Sequence, residues 1–216
     1  MTTDPFAGIV TQLQGAIVGE SARMGRIPII VAVQTLDILK GYWRNYPQHG
    51  VSLAKFDNRD DALVQNGPCG AMLWMDPVAD GYRATYGKFL QQHWGATRDL
   101  TNSGYDVDHV YNRARAKHYG YKFVRMFLVK ADANRDHGRA YEKQIGAAER
   151  NRFVKIMKLL DGMSELKVLG LPAVRGGLLT PEHHAAAQRA SLQYQMDAMS
   201  TALQTVSRAF VGACVF

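Results

Sequence analysis

The chain has 216 residues, 47% of them hydrophobic and 21% charged, enough apolar material for one packed domain and too much for general disorder. Its 26 Lys and Arg against 19 Asp and Glu leave a net charge of +7, which favours an acidic partner such as nucleic acid. Two distant cysteines, Cys69 and Cys214, indicate neither a disulfide scaffold nor a cysteine zinc knuckle.

In chain order, Asp4-Pro5 reads as a helix cap followed by a first-position proline, and Phe6, Val10, Leu13 and Ile17 recur on one helical face. The start, Met-Thr-Thr-Asp-Pro, has no basic segment leading into an apolar one, so no Sec-type signal peptide is expected. The most apolar run, Ile27 to Leu39, is interrupted by Pro28, Gln34 and Asp37 and falls short of the roughly 20 residues that span a bilayer, so no stable membrane insertion is expected. It reads as a buried helix opened by Pro28 and running to about Trp43. Gly41, Asn45, Pro47, Gly50, Asn58, Gly67 and Pro68 then punctuate a loop-rich stretch, and a third helix is expected over 78–94.

The pattern changes near residue 101. Asn102-Ser103-Gly104 is a turn signal, 105–111 and 121–129 are strand candidates, and a helix begins at Asp132 or Ala133. The segment Phe153 to Leu160 reads as helical, Gly162 to Gly177 as a break, and Thr180-Pro181-Glu182 as a helix start. Leu192, Met196, Met199, Leu203, Val206 and Phe210 follow at core-packing spacing. His183 and His184 are adjacent and share no helix face, so they read as a solvated first turn. Trp43, Trp74 and Trp94 read as core residues, whereas Tyr111, Tyr119 and Tyr121 suit either hairpin packing or nucleic-acid contact.

The charge is concentrated. Between His109 and Lys158 there are 13 Lys and Arg against four acidic residues, a balance of +9, while the rest of the chain carries −2. Inside that window lies the candidate chemistry. In Asp106-Val107-Asp108-His109 a carboxylate directly precedes an imidazole in a β-prone segment. A carboxylate can hold a divalent cation against a scissile phosphate, and a neutral imidazole can deprotonate the attacking water. Asn134 and His137, three residues apart, would share one face of the following helix, with Arg135 and Arg139 suited to gripping phosphate oxygens. Asp106 has a second reading as the ion-pair partner of Arg113 or Arg115.

The order Tyr105-Asp-Val-Asp-His-Val, an apolar strand 123–129, then Asp132-Ala-Asn134-Arg135 resembles the ββα-metal fold of HNH endonucleases over about 35 to 40 residues. The resemblance implies Asp108 as metal ligand, His109 as general base and Asn134 as second ligand, with His137 the competing helix ligand. It implies Arg113, Arg115, Arg135 and Arg139 as nucleic-acid contacts and Mg²⁺ as the cofactor, with Mn²⁺, Zn²⁺ and Ni²⁺ as alternatives. The family's middle asparagine has no counterpart: its place falls near Arg125, and Asn112 is the nearby substitute.

The fold expected is α+β and mostly α-helical. A helical region (1–100) and a C-terminal helical region (162–216) would flank a small ββα core (101–161). The expected function is metal-dependent cutting of DNA, with RNA as the alternative substrate, at low sequence specificity because no groove-reading module is visible. The resemblance extends to antibacterial toxin effectors. These imply a cytoplasmic site of action, delivery by a specialised secretion machine and a cognate immunity protein. The competing expectation is a non-enzymatic nucleic-acid-binding or phage assembly protein in which the ββα unit is structural.

Overall fold

The Asp4 carboxylate accepts a hydrogen bond from the Phe6 amide at 2.9 Å, and helix α1 (Ala7–Met24) follows, with Leu13 and Ile17 buried on its inner face and Phe6 buried just before it. The structure is a computed structural model that describes residues 4–24, 29–139, 156–160, 162–171 and 173. The expected buried helix is replaced by two elements, strand β1 (Ile30–Val33) and helix α2 (Leu36–Arg44). A run of β-branched residues buried on both faces lacks the alternation that marks a strand, so its periodicity resembles that of a buried helix. The boundary is Thr35, whose hydroxyl caps α2 by accepting from the Ile38 amide at 3.3 Å.

The stretch read as loops holds three strands, β2 (Ser52–Lys55), β3 (Ala62–Gly67) and β4 (Gly70–Met75). Its Gly, Asn and Pro residues are the turns between them. Asp57 and Asn58, after β2, take left-handed backbone angles, and Gly67 pairs with Gly70 around Pro68-Cys69. Gly70 must be glycine on two counts: its φ is +117°, and a Cβ there would lie 2.6 Å from the Trp94 ring. Helix α3 (Tyr82–Trp94) starts later than expected.

Strand β5 (Tyr105–His109), helix α4 (Arg113–His118), strand β6 (Phe123–Lys130) and helix α5 (Ala131–His137) follow, with both strands and the last helix where they were expected and α4 standing in place of the expected loop. Strand β7 (Met157–Leu159) lies where a helix was expected, because pairing with β1 outweighs local propensity over three residues. Helix α6 (Gly162–Val168) stands in the expected break. The expected helix start at Thr180, His183-His184, the 192–210 seam and Cys214 lie outside the described residues.

The strands form one curled antiparallel sheet in the order β2-β3-β4-β6-β1-β7, with β5 also paired to β6. A mostly helical fold is therefore overturned: seven strands build the centre of the described chain and six α-helices pack around them. Strand β6 is the hub. Its first residues pair with β1 and β4, through Val124 with Ala32 and Met75, and its later residues pair with β5 from His109↔Met126 to Tyr105↔Lys130.

At that hub sits a fully buried guanidinium. Arg125 donates to both Glu20 carboxylate oxygens at 2.9 and 3.0 Å and to Gln65 at 3.4 Å, and stacks 4.9 Å from the Trp74 ring centre. Trp74 Nε1 also donates to Gln65 Oε1, at 3.1 Å. Arg125 therefore ties α1 to the sheet and cannot reach a site at the sheet's other end. Removing one partner of such a pair leaves a buried unpaired charge and costs about 3–5 kcal/mol, whereas apolar replacement of both is often near neutral. Arg125→Met alone should thus lose about 3–5 kcal/mol in urea unfolding, and adding Glu20→Met should restore more than half. Equal losses in the single and double variants would show that the charge pair is not the source.

Candidate functional site on the acid strand

The turn at Asn102-Ser103-Gly104, with positive φ at Asn102 and Gly104, delivers the chain into β5, and the Ala131 amide donates to the Gly104 carbonyl at 3.0 Å. Along β5 burial alternates. Tyr105, Val107 and His109 are buried, while Asp106 and Asp108 are partly exposed, with side chains 19% and 25% accessible. Successive side chains on a strand point to opposite faces. Asp108 and His109, adjacent in sequence and paired in the expected chemistry, therefore leave opposite sides of the same strand.

His109 is 3% exposed and its ring centre lies 5.2 Å from that of Tyr82. Its Nε2 is buried and makes no hydrogen bond among the described residues. Burial, followed by the charges of Arg113 and Lys167, pushes the imidazole down to about 4, so it is neutral at physiological pH. Neutrality suits a base, but a group this acidic and this enclosed is poorly placed to take a proton from water. Asn112, the expected substitute for the orienting asparagine, caps α4 by accepting from the Arg115 amide at 3.1 Å.

The acidic face is answered from three elements. Asn134 Nδ2 on α5 donates to Asp106 Oδ2 at 3.1 Å, Arg83 on α3 stands 4.0 Å from the other Asp106 oxygen, and Lys167 on α6 forms an ion pair with Asp108. The helix asparagine meets the acid strand, and the carboxylate it bonds is Asp106, not Asp108. His137, the competing ligand, is buried and donates through Nε2 to the Leu171 carbonyl at 2.9 Å. Beside it Asp136 accepts from the Ala173 amide at 2.9 Å, so the end of α5 clamps the segment after α6.

Arg113 donates to the Pro77 carbonyl at 2.5 Å and lies 5.4 Å from the Tyr82 ring centre, holding α4 against the start of α3. Arg135 and Arg139 are exposed. Tyr111 and Tyr121 are buried and meet edge to face at 5.6 Å, which resolves them as packing of the β5–β6 connection. Arg83 and Lys88 escaped notice in the sequence because α3 shows no motif, and Tyr82 reads there only as part of the helix's apolar face. Lys167 escaped because it lies in an expected break, and its one signal was a lysine set among apolar neighbours, Leu166-Lys167-Val168-Leu169.

Between α3, the 99–104 turn, β5 and α5 lies an open cleft of about 730 Å³. Arg83, Lys88 and Arg135 edge it, Asp106 lies within it, and Thr101, Asn102 and Ser103 add polar groups. Carboxylates and an amide are donors of the right chemistry for Mg²⁺. Their present partners are protein cations and amides, and among the described residues no three His, Cys, Asp or Glu side chains converge as a metal cluster. The residues as arranged do not fit a resident divalent metal.

No family model, curated protein or solved structure matches the chain. Among the described residues no helix is long and apolar enough to cross a membrane.

The depressed His109 value has a consequence for stability. Between its ordinary value of 6.5 and about 4 the unfolded chain takes up a proton that the folded chain refuses, so stability falls as pH drops through that window. A shift of this size corresponds to roughly 3 kcal/mol. His109→Phe should remove that share of the acid sensitivity, measured as the change in urea midpoint between about pH 7.5 and about pH 4.5. Identical pH dependence in the two proteins would sink the assignment.

Proposed function

We propose that this chain acts on nucleic acid as an endonuclease of the HNH type, with the cleft beside β5 as its strand-binding surface. The observation that carries the reading is the contact of Asn134 with Asp106. Two residues 28 positions apart, one on β5 and one on α5, meet beside a cleft that Asp106 lines and Arg83, Lys88 and Arg135 edge. Arginine forks and a lysine ammonium are suited to phosphodiester oxygens. The concentration of +9 between residues 109 and 158 supports a polyanionic substrate. In this reading Asp106 faces the substrate, Asn134 is a positioning residue, and binding to backbone rather than base edges makes cutting weakly sequence-dependent. A divalent metal supplied with the substrate, DNA in preference to RNA, and an immunity protein that covers the cleft complete the proposal.

A second reading is a non-enzymatic nucleic-acid-binding protein. It is favoured by the protein partners that Asp108 and His137 already have, Lys167 and the Leu171 carbonyl.

One experiment separates them. The purified protein should nick plasmid DNA with Mg²⁺ or Mn²⁺, stop on addition of EDTA, and lose nicking in Asp106→Ala with DNA binding retained. Arg83→Ala and Arg135→Ala should each weaken binding across all sequences and lower the salt slope by about one. Salt-sensitive binding without any metal-dependent nicking would establish the second reading instead.

A further inference from the structure

From His109 to Ala131 the chain has no Asp or Glu, while Arg113, Arg115, Lys117, Lys122, Arg125 and Lys130 fall inside that stretch. Arg125 is held in the core by Glu20, but Arg113, Lys117 and Lys122 are exposed on α4 and the turn after it. Ala116 is the buried residue of α4, and its exposed positions are Arg113, Ala114, Lys117 and His118. Lys122 follows with its side chain 63% accessible, and Asp76 stands 3.6 Å from it. This face carries charge without a large apolar side chain. A protein interface needs an apolar centre, and a membrane-surface helix needs an apolar face to insert, so the surface that complements it is a polyanionic backbone.

The face is joined to the cleft. Arg83 edges the cleft, and its guanidinium and that of Arg113 both lie at the Tyr82 ring, 6.0 and 5.4 Å from the ring centre. Arg113 donates to the Pro77 carbonyl through Nε, a bond that leaves its terminal nitrogens for a phosphate oxygen. We propose that α4 is a second backbone-binding station, reached from the cleft by way of Arg83 and Arg113, along which the nucleic-acid substrate continues beyond the candidate site. This rests on the polyanionic substrate of the nuclease reading and adds the path that substrate takes. Asp106 lines the cleft at one end of β5 and α4 leaves from the other end, and the 5 strand residues at about 3.3 Å each make about 16 Å. A duplex strand presents a phosphate about every 3.4 Å along the axis, so the two stations engage phosphates about five base pairs apart.

The test is fluorescence anisotropy of a labelled DNA duplex of about 20 base pairs, in EDTA so that binding is read without cutting, at salt from about 50 to 200 mM. Lys117→Ala with Lys122→Ala, both exposed and outside the cleft, should weaken binding about tenfold and lower the salt slope by about two. Lys117→Arg with Lys122→Arg should bind as wild type does. Lys40→Ala with Arg44→Ala, exposed on α2, removes the same charge elsewhere and should leave the slope unchanged. An unchanged slope in the α4 variant, or an equal loss in the α2 variant, would overturn the proposal. So would loss of binding to phosphatidylserine vesicles in the α4 variant with duplex binding intact, since the face would then be a membrane contact. Plasmid nicking with Mg²⁺ is scored separately. A lowered slope in the α4 variant without nicking by wild type upholds the station and ends the nuclease reading, whereas nicking with the slope unaltered does the reverse. Failure of wild type to bind the duplex at all overturns both.

Discussion

A guanidinium with no exposure to water has to find its counter-charge inside the protein, and Arg125 finds it in Glu20 on α1. That requirement fixes where the first helix lies across the sheet. It also fixes β6, because the residue carrying the charge sits between β1 and β4 and immediately before the portion that pairs with β5. The position of the acid strand thus follows from a salt bridge at the far end of its neighbour. Gln65 and Trp74 extend the same network onto β3 and β4, so four elements share one polar centre in an otherwise apolar core.

From β6 outward the chemistry is governed by parity. Strand geometry sends Asp106 and Asp108 to one side and His109 to the other, and each side then meets a different environment. The carboxylates lie at a partly wet surface where Asn134, Arg83 and Lys167 converge, and the imidazole is driven neutral beneath Tyr82. The motif that reads as one catalytic unit in the chain is in space two half-sites separated by the thickness of a strand. Of the two carboxylates, Asp106 lines the open cleft.

The parts legible in the sequence were those with local signals. Asp4-Pro5, the Asn102-Ser103-Gly104 turn and the strand that begins at Tyr105 each depend on a few residues and each appears where expected. The sheet was not legible as a whole. Strand β1 is buried on both faces, β7 has three residues, and β2 to β4 were masked by turn residues that looked like continuous loop. Site partners from outside the motif were invisible for a similar reason: nothing about Lys167 or Arg83 announces a neighbour some 60 or 23 residues away, and only tertiary pairing brings them to β5.

The turn into β5 then takes on a meaning beyond chain reversal. Because a strand has a period of two, a one-residue change between Asn102 and Gly104 that slides Tyr105 to His109 by one position along β6 would exchange the faces. The imidazole would emerge on the cleft side and the carboxylates would be driven into the core. Loop length at this corner is thus a selector of which functional group the protein displays. A lineage could move between an acidic and a basic surface here by an insertion alone, with no substitution in the motif itself.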